Sequence, residues 1–367
     1  MKKIYTQPRT ETVATTPQQI LCASGIKAKI NGYSTGGGFT QSVIIGVICS
    51  SLLFLGTACS TTNNPDQPKQ QAELKPRTLV VQTSPQPSPN KERGIQRLPQ
   101  ATITENGGAL DAIWSAGDEI SFRNISHATY TPSGPTDGAQ LDGVLLADRA
   151  ASIASFTSNH KVWCELGDQI LLVYPKATAP AISVEGNPLR ATYFISLANQ
   201  NGTLEQIAST YHHSYGIATI TEVTPTVANA ELAEMQNLLT VCKFSFVDEE
   251  YPGTLLPITS LSISYNGGDY PNTYPGTARV TVTQGTSSTA TVTPDKKSTS
   301  AEGNPLTVSP DGNPEVVYVA LFPEADETTY SFTVTSGEDT YTGTATARLN
   351  AGEFVVAELK LTKKVNP

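Results

Sequence analysis

Between Thr328 and Leu361 the side chains alternate in a way that only extended chain can use. Tyr330, Phe332 and Val334 share one parity, and after the turn "SGED" Tyr341, Ala345 and Leu349 share one parity of the next segment. In "EFVVAELKL", Val355, Ala357, Leu359 and Leu361 oppose Glu358 and Lys360. A period of two sends neighbouring residues to opposite faces of a strand, so one side meets a core and the other meets water. Two such runs around a short Gly-containing turn read as a hairpin.

The same rhythm runs back to residue 100, through "ATIT", "EISFRN", "ILLVYP", "TYFISL", "IATITEV", "VCKFSFV", "SLSISY", "ARVTVT" and "VVYVALF", with turns such as "NGG", "NQNG" and "NGGD" between them. Charged residues make up only 16% of the 367. That fraction, with abundant Thr, Ser, Gly and Pro, suits many short strands joined by turns. One segment breaks the rhythm. In "TVANAELAEMQNLLT", Leu232, Met235 and Leu239 fall on one helical face after an Asn229 cap, which predicts a short helix at a domain junction. The expected fold is all-β: two β-sandwich domains in tandem, 100–237 and 238–367, with one short helix near the junction.

The formal charge is -9, and the first 59 residues carry five basic and one acidic side chain, leaving 19 basic and 32 acidic groups beyond them. An acidic body lacks the basic stripe that displaces counterions from phosphates, so nucleic acid is not an expected partner.

From Val43 to Ala58 the chain is apolar, short for a membrane span, and it ends in "LGTAC". Small residues before a cysteine resemble the lipobox of bacterial lipoproteins, which implies cleavage before Cys59 and acylation of its thiol. Residues 1–58 would then be leader and signal peptide, and Cys59 would anchor the chain to an outer membrane through several acyl chains, palmitate among them. An uncleaved N-terminal anchor is the alternative. Residues 59–99, rich in Pro, Gln, Asn and Ser, read as a tether. Within it "RTLVVQT" has high strand propensity at Leu79, Val80 and Val81. Arg77, Arg93 and Arg97 bracket or follow that piece in the kind of sequence that proteases cut. Cys164 and Cys242 remain in the exported body, either bridged or buried as small apolar side chains.

Trp114 and Trp163, the two tryptophans, each precede a Gly-Asp pair, Gly117-Asp118 and Gly167-Asp168. The pairs could be two glycosidase acids beside stacking platforms. The simpler reading is a corner in which Gly accepts the turn, Asp caps it and the next Ile enters a strand. Adjacent His212 and His213 would point to opposite strand faces, and His127 and His160 are scattered, so no metal site is expected. "DGN" (311–313) and "NGGDY" (266–270) lack the ligand density of a calcium loop. No phosphate loop, dinucleotide fingerprint or nucleophile elbow occurs, so neither a cofactor nor an enzymatic activity is expected.

The Trp114, Gly117-Asp118, Ile120 corner, "LLVYP" (171–175), "MQNLLTVCKFSF" (235–246), "VYVALFPE" (317–324) and "LNAGEFVVAELKL" (349–361) occur in an order and spacing that resemble the fimbrillin-like (Mfa-like) proteins. These form type V pili on anaerobic Gram-negative gut and oral bacteria. The resemblance spans residues 100–363. It implies transthyretin-like sandwiches in a surface lipoprotein of the fimbrium, with other subunits as partners. In polymerising members an arginine-specific protease removes an N-terminal strand, and a neighbour's strand fills the vacated groove. Carried onto this chain, residues 78–83 become the removable strand, with cleavage after Arg93 or Arg97. Six residues follow Leu361, little for a long donor appendage, which favours a tip, anchor or non-polymerising member. The rival function is a surface lipoprotein that captures a host glycan or protein, with Tyr211, Tyr215, Tyr270 and Tyr274 as candidate contact aromatics.

Overall fold

In the computed structural model, the described residues are 19–21, 27–32, 74–83, 102–106, 109–132, 137–150, 154–176, 182–267, 271–285, 289–295 and 304–365. The strands are β1 (Gln19–Leu21), β2 (Lys27–Gly32), β3 (Lys75–Thr83), β4 (Thr102–Asn106), β5 (Ala109–Ile113), β6 (Glu119–Asn124), β7 (Asp142–Ala147), β8 (Ser155–Cys164), β9 (Gln169–Tyr174), β10 (Ser183–Glu185) and β11 (Arg190–Ser196). A single helical turn, α1 (Leu204–Gln206), is capped by the Thr203 hydroxyl and widens into a π turn over Ile207–Tyr211. There follow β12 (Ser214–Val223), β13 (Val227–Asn237), β14 (Thr240–Asp248), β15 (Ser260–Tyr265), β16 (Thr277–Thr283), β17 (Ala290–Pro294) and β18 (Leu306–Val308). The chain closes with β19 (Val316–Leu321), β20 (Thr328–Ser336), β21 (Asp339–Ala347) and β22 (Glu353–Lys363). Among the described residues no helix is long and apolar enough to cross a membrane.

Seven strands close a barrel in the order β12-β13-β3-β8-β7-β6-β9. Its interior holds Leu79, Val81, Trp114, Ile120, Phe122, Phe156, Ile170, Leu172 and Met235 among others. Strands of the C-terminal half, with β1 and β2 of the N-terminal segment between β21 and β22, form a sheet ordered β18-β15-β20-β21-β1-β2-β22-β14-β19. A separate sheet, β10-β11-β16-β17, takes strands from both halves, because β11 pairs antiparallel with β16 from Arg190↔Thr283 to Ser196↔Thr277. The hairpin from before residue 237 is therefore hydrogen-bonded to strands beyond it.

"ILLVY" explains how the two cores meet. Ile170, Leu172 and Tyr174 face the barrel interior, whereas Leu171 and Val173 belong to the large core that includes Tyr193, Ile195, Phe244 and Phe332. A continuous apolar run marks a strand buried on both faces, and β9 is the wall shared by the two cores.

The junction segment is a strand, contrary to the helix expected there. β13 pairs with β12 on one edge and with β3 on the other. Ala228, Ala230 and Leu232 point inward at period two. Between Leu232 and Met235 the register slips, since Gly216 faces Met235 but Ala218 faces Leu232. That bulge returns Met235 to the interior after three residues, so the sequence imitates the i, i+3 spacing of a helix. Gly216 permits the close approach: a Cβ there would lie 2.6 Å from the Met235 sulfur.

His212 and His213 are both buried. Both ring nitrogens of His212 and Nε2 of His213 lack a hydrogen-bond partner among the described residues. Desolvation of the charged form lowers their pKa values from 6.5 to about 4 and about 3 respectively. The neutral folded form thus binds fewer protons than the unfolded chain below pH 6.5, so stability is full above that pH and is lost as pH falls towards 4 and 3. In this window each imidazole should remove roughly 1.4 kcal/mol per pH unit. Urea unfolding at pH 7, 6, 5 and 4 should show this slope, and the His212→Leu, His213→Leu double variant should flatten it. Identical slopes in both proteins would contradict the assignment.

Candidate functional site

β3 carries the segment with the strongest expected role. Its edges are both paired: parallel to β13 from Thr78↔Val227 through Thr83↔Leu232, and antiparallel to β8 from Lys75↔Cys164 to Gln82↔Ser155. Inward parity falls on Arg77, Leu79, Val81 and Thr83. Leu79 and Val81 are 0% exposed, while Val80 faces outward and is half-buried. Burying the two inward side chains contributes roughly 3 to 6 kcal/mol together.

Polar contacts pin the strand at both ends and in the middle. A bulge between Thr78 and Val80 interrupts the ladder to β8, and there the Leu79 amide donates to the Ser158 hydroxyl at 2.9 Å. The Thr83 hydroxyl donates to the Ala154 carbonyl at 3.1 Å and accepts from the Ala154 amide at 3.2 Å. At the other end Arg77 donates from Nε to the Thr224 carbonyl at 2.7 Å and from Nη1 to the Cys164 carbonyl at 2.5 Å.

Arg77 therefore departs from the expectation of a cleavable arginine. It is 8% exposed and lies inside a strand paired on both sides, where a protease cannot reach the bond without unfolding the barrel. Its guanidinium ties the β12–β13 turn to the end of β8. Arg93, Arg97, Cys59 and Tyr270 lie outside the described residues.

The two Gly-Asp corners have the same construction. Gly117 and Gly167 each have φ of +86°, the left-handed region that favours glycine. Asp118 accepts from the Ser115 amide at 2.7 Å, and Asp168 accepts from the Glu165 amide at 3.0 Å, each carboxylate closing its own four-residue turn. Each corner also exchanges two main-chain hydrogen bonds with another strand: Gly117 and Asp118 with Ala147, Gly167 and Asp168 with Ile220.

The tryptophans are not equivalent. Trp114 is fully buried in the barrel interior, edge-on to Phe156 and Tyr174 with ring centroids 4.8 and 5.6 Å away. Trp163 faces outward from β8 and packs against Leu74, Ala139 and Leu141, with the Tyr130 ring 4.9 Å away. Tyr130 and Trp163 line a depression of about 500 Å³ together with Arg123, Gln140 and Leu141. Arg123 donates to the Ala128 carbonyl at 2.7 Å, and its Nε is buried without a partner among the described residues.

Asp168 carries more than its turn, which the sequence did not reveal. Its Oδ2 also accepts from Asn124 Nδ2 at 2.8 Å, and its Oδ1 lies 3.0 Å from His127 Nε2. Asn124, fully buried, further donates to the Trp163 carbonyl at 3.0 Å. Glu165 completes a cluster with His127 and Asp168 whose ligand-capable atoms lie within 4.8 Å of one another. A second carboxylate, Glu165, therefore stands beside Asp168. Both Asp168 oxygens already receive hydrogen bonds, so the cluster works as a clamp joining β6, the 125–130 loop and the β8–β9 corner.

Other expectations also shift. Tyr211, Tyr215 and Tyr274 are buried, so they offer no exposed contact surface; the Tyr274 hydroxyl oxygen accepts the Phe322 amide N–H at 2.9 Å. Cys164 and Cys242 are free thiols in different cores, the first in the barrel and the second in the large core. Burial raises both pKa values, Cys164 to about 11.

No protein-family model matches the sequence, and neither does any curated protein. Solved structures of similar outline include a candidate cell adhesion protein of Bacteroides ovatus, 12% identical, covering 80% of this chain and 96% of that one with a TM-score of 0.44. One from Bacteroides uniformis is 13% identical over 69% of this chain and 92% of that one, with a TM-score of 0.42. The shaft pilin of Lactobacillus rhamnosus GG is 11% identical over 80% of this chain and 100% of that one, with a TM-score of 0.27. The functional reading rests on this chain's own geometry.

Two variants separate the groove from the clamp. Leu79→Ala should lower the unfolding free energy by about 2 to 5 kcal/mol through an internal cavity. Asp168→Ala should cost about 1 to 3 kcal/mol by orphaning the Asn124 amide. Chemical denaturation measures both, and a change below 0.5 kcal/mol in either would contradict its assigned role.

Proposed function

We propose that the chain is a cell-surface fimbrial subunit or adhesin-like lipoprotein that assembles by strand exchange, with β3 as the strand that is given up. The single observation that carries this reading is the seat of β3. It is the first strand of the barrel in sequence, both of its edges are paired, and Leu79 and Val81 fill the interior. Arg93 and Arg97 lie between β3 and β4. A cut after either would leave β3 held to the barrel by non-covalent contacts alone. The groove so created presents main-chain donors and acceptors on both sides and an apolar floor, the arrangement that strand addition uses for affinity. In this reading Cys59 carries the lipid, an outer membrane holds the chain, and other subunits donate strands. Catalysis has no part in it, since Asp118 and Asp168 serve their corners.

The depression beside Tyr130 and Trp163 favours a second reading, a non-polymerising surface lipoprotein. An aromatic wall with Arg123 and Gln140 at its rim suits a glycan or a host protein loop. The two readings differ in what an arginine-specific protease does. Treating the exported chain should give a ladder of multimers on an unboiled denaturing gel, and the Arg93→Lys, Arg97→Lys double variant treated with the same enzyme should give none. A wild-type chain that is cut yet stays monomeric would refute strand exchange and leave the second reading.

A further inference from the structure

We propose that His127, Glu165 and Asp168 form a binding site for one divalent first-row metal ion, with zinc as the ion their donor set suits best. The site lies where the loop after β6 meets the β8–β9 corner. It does not depend on how the chain assembles.

Two chain segments place these donors, and each is fixed by its own main chain. Glu165 and Asp168 are the end residues of one turn, closed by the Asp168 amide on the Glu165 carbonyl at 3.3 Å, with Gly167 at φ +86°. Such a turn keeps its end residues within about 7 Å at Cα, so two carboxylates there can share one ion. His127 belongs to a loop that is stitched to β9 without help from its imidazole. The Ile125 amide donates to the Gln169 carbonyl at 2.9 Å, the Gln169 amide donates to the Ser126 hydroxyl at 2.9 Å, and the Ser126 amide donates to Asn124 Oδ1 at 3.0 Å.

The matching corner at Asp118 shows which of these groups a corner itself requires. Its glycine has the same φ of +86° and its aspartate the same capping bond, yet Ser115 stands where Glu165 stands. A carboxylate at that position is therefore an addition to the turn. Glu165 is half-buried, and its side chain makes no hydrogen bond or ion pair among the described residues. Its donor atom nevertheless lies within 4.8 Å of those of His127 and Asp168. Two carboxylates so close repel each other, and a dication balances both charges.

The donor set names the ion. Asp168 is 5% exposed, and its Oδ2 is taken by Asn124 Nδ2 at 2.8 Å and the Glu165 amide at 3.0 Å, which leaves Oδ1 as a single, oriented ligand atom. A buried amide that fixes a ligating carboxylate is the outer-shell support such sites use. His127 Nε2 stands 3.0 Å from Oδ1. With its proton on Nε2 the imidazole makes the clamp described above; with the proton on Nδ1, two lone pairs face each other across the gap and a cation joins them. Tetrahedral zinc, with ligands at about 2.0 to 2.2 Å, sets its donors about 3.3 Å apart, close to the His127–Asp168 spacing. Glu165 reaches the third position by a side-chain rotation, and water takes the fourth. One nitrogen and two oxygens are too few hard ligands for calcium or magnesium. The loop joined in this way ends at Tyr130, whose ring is 4.9 Å from Trp163, so a bound ion also holds that wall of the depression in place.

Calorimetric titration of the full chain, freed of metal by a chelator, tests this with zinc chloride as the probe. Wild type should bind one equivalent that is missing from the Glu165→Gln variant, or held there at least about a hundredfold more weakly, the upper end of what losing an outer-shell partner costs. Glu165→Gln keeps every hydrogen bond of the corner, because only the Glu165 main chain takes part in them. His127→Gln should lose the same equivalent, and His160→Gln, which alters a histidine outside the cluster, should keep it. Zinc should also raise the thermal-unfolding midpoint of wild type by more than that of Glu165→Gln. Equal zinc binding by wild type and Glu165→Gln, including none by either, would overturn the proposal. So would an equivalent that calcium or magnesium fills and zinc does not.

Discussion

A buried strand must find partners for its main-chain N–H and C=O groups on both edges, and in the N-terminal barrel that demand falls hardest on β3. Without it β13 and β8 would each present an open edge, and the space filled by Leu79 and Val81 would be empty. The same strand is parallel to β13 although every other barrel neighbour pair is antiparallel. A parallel neighbour cannot be joined by a tight turn. β3 enters the barrel from a distant part of the chain and is secured by its own contacts: the Arg77 guanidinium, the Leu79 amide on Ser158 and the Thr83 hydroxyl on Ala154.

Around that strand the molecule is continuous. β9 is buried on both faces, and the β10–β11 hairpin is bonded into a sheet with β16 and β17. The Asp168 clamp ties β6, the 125–130 loop and the β8–β9 corner through Asn124 and His127. The other six strands of the barrel are linked to one another by pairings that do not involve β3.

Period-two alternation made the C-terminal strands legible: the parity of Tyr330, Phe332 and Val334, and of Val355, Ala357, Leu359 and Leu361, is the parity of burial. "RTLVVQT" was legible as a strand from its β-branched and apolar residues. Two features were hidden for physical reasons. The bulge before Met235 shifts parity and imitates helical spacing, and only the partner strand β12 exposes the slip. The Asp168 cluster joins residues 41 and 44 positions apart, and such a long-range contact leaves no local pattern. Arg77 misled because its flanks look like linker, whereas its partners Thr224 and Cys164 come from strands far along the chain.

The central claim is that β3 is held by contacts that a neighbour's strand can replace. Native mass spectrometry of the exported chain, cut between β3 and β4 and mixed with uncut copies, measures this most directly. Loss of the N-terminal fragment from the barrel, matched by gain of one whole subunit, is the result the account predicts. A cut chain that keeps its fragment and its monomer mass at every concentration would contradict it.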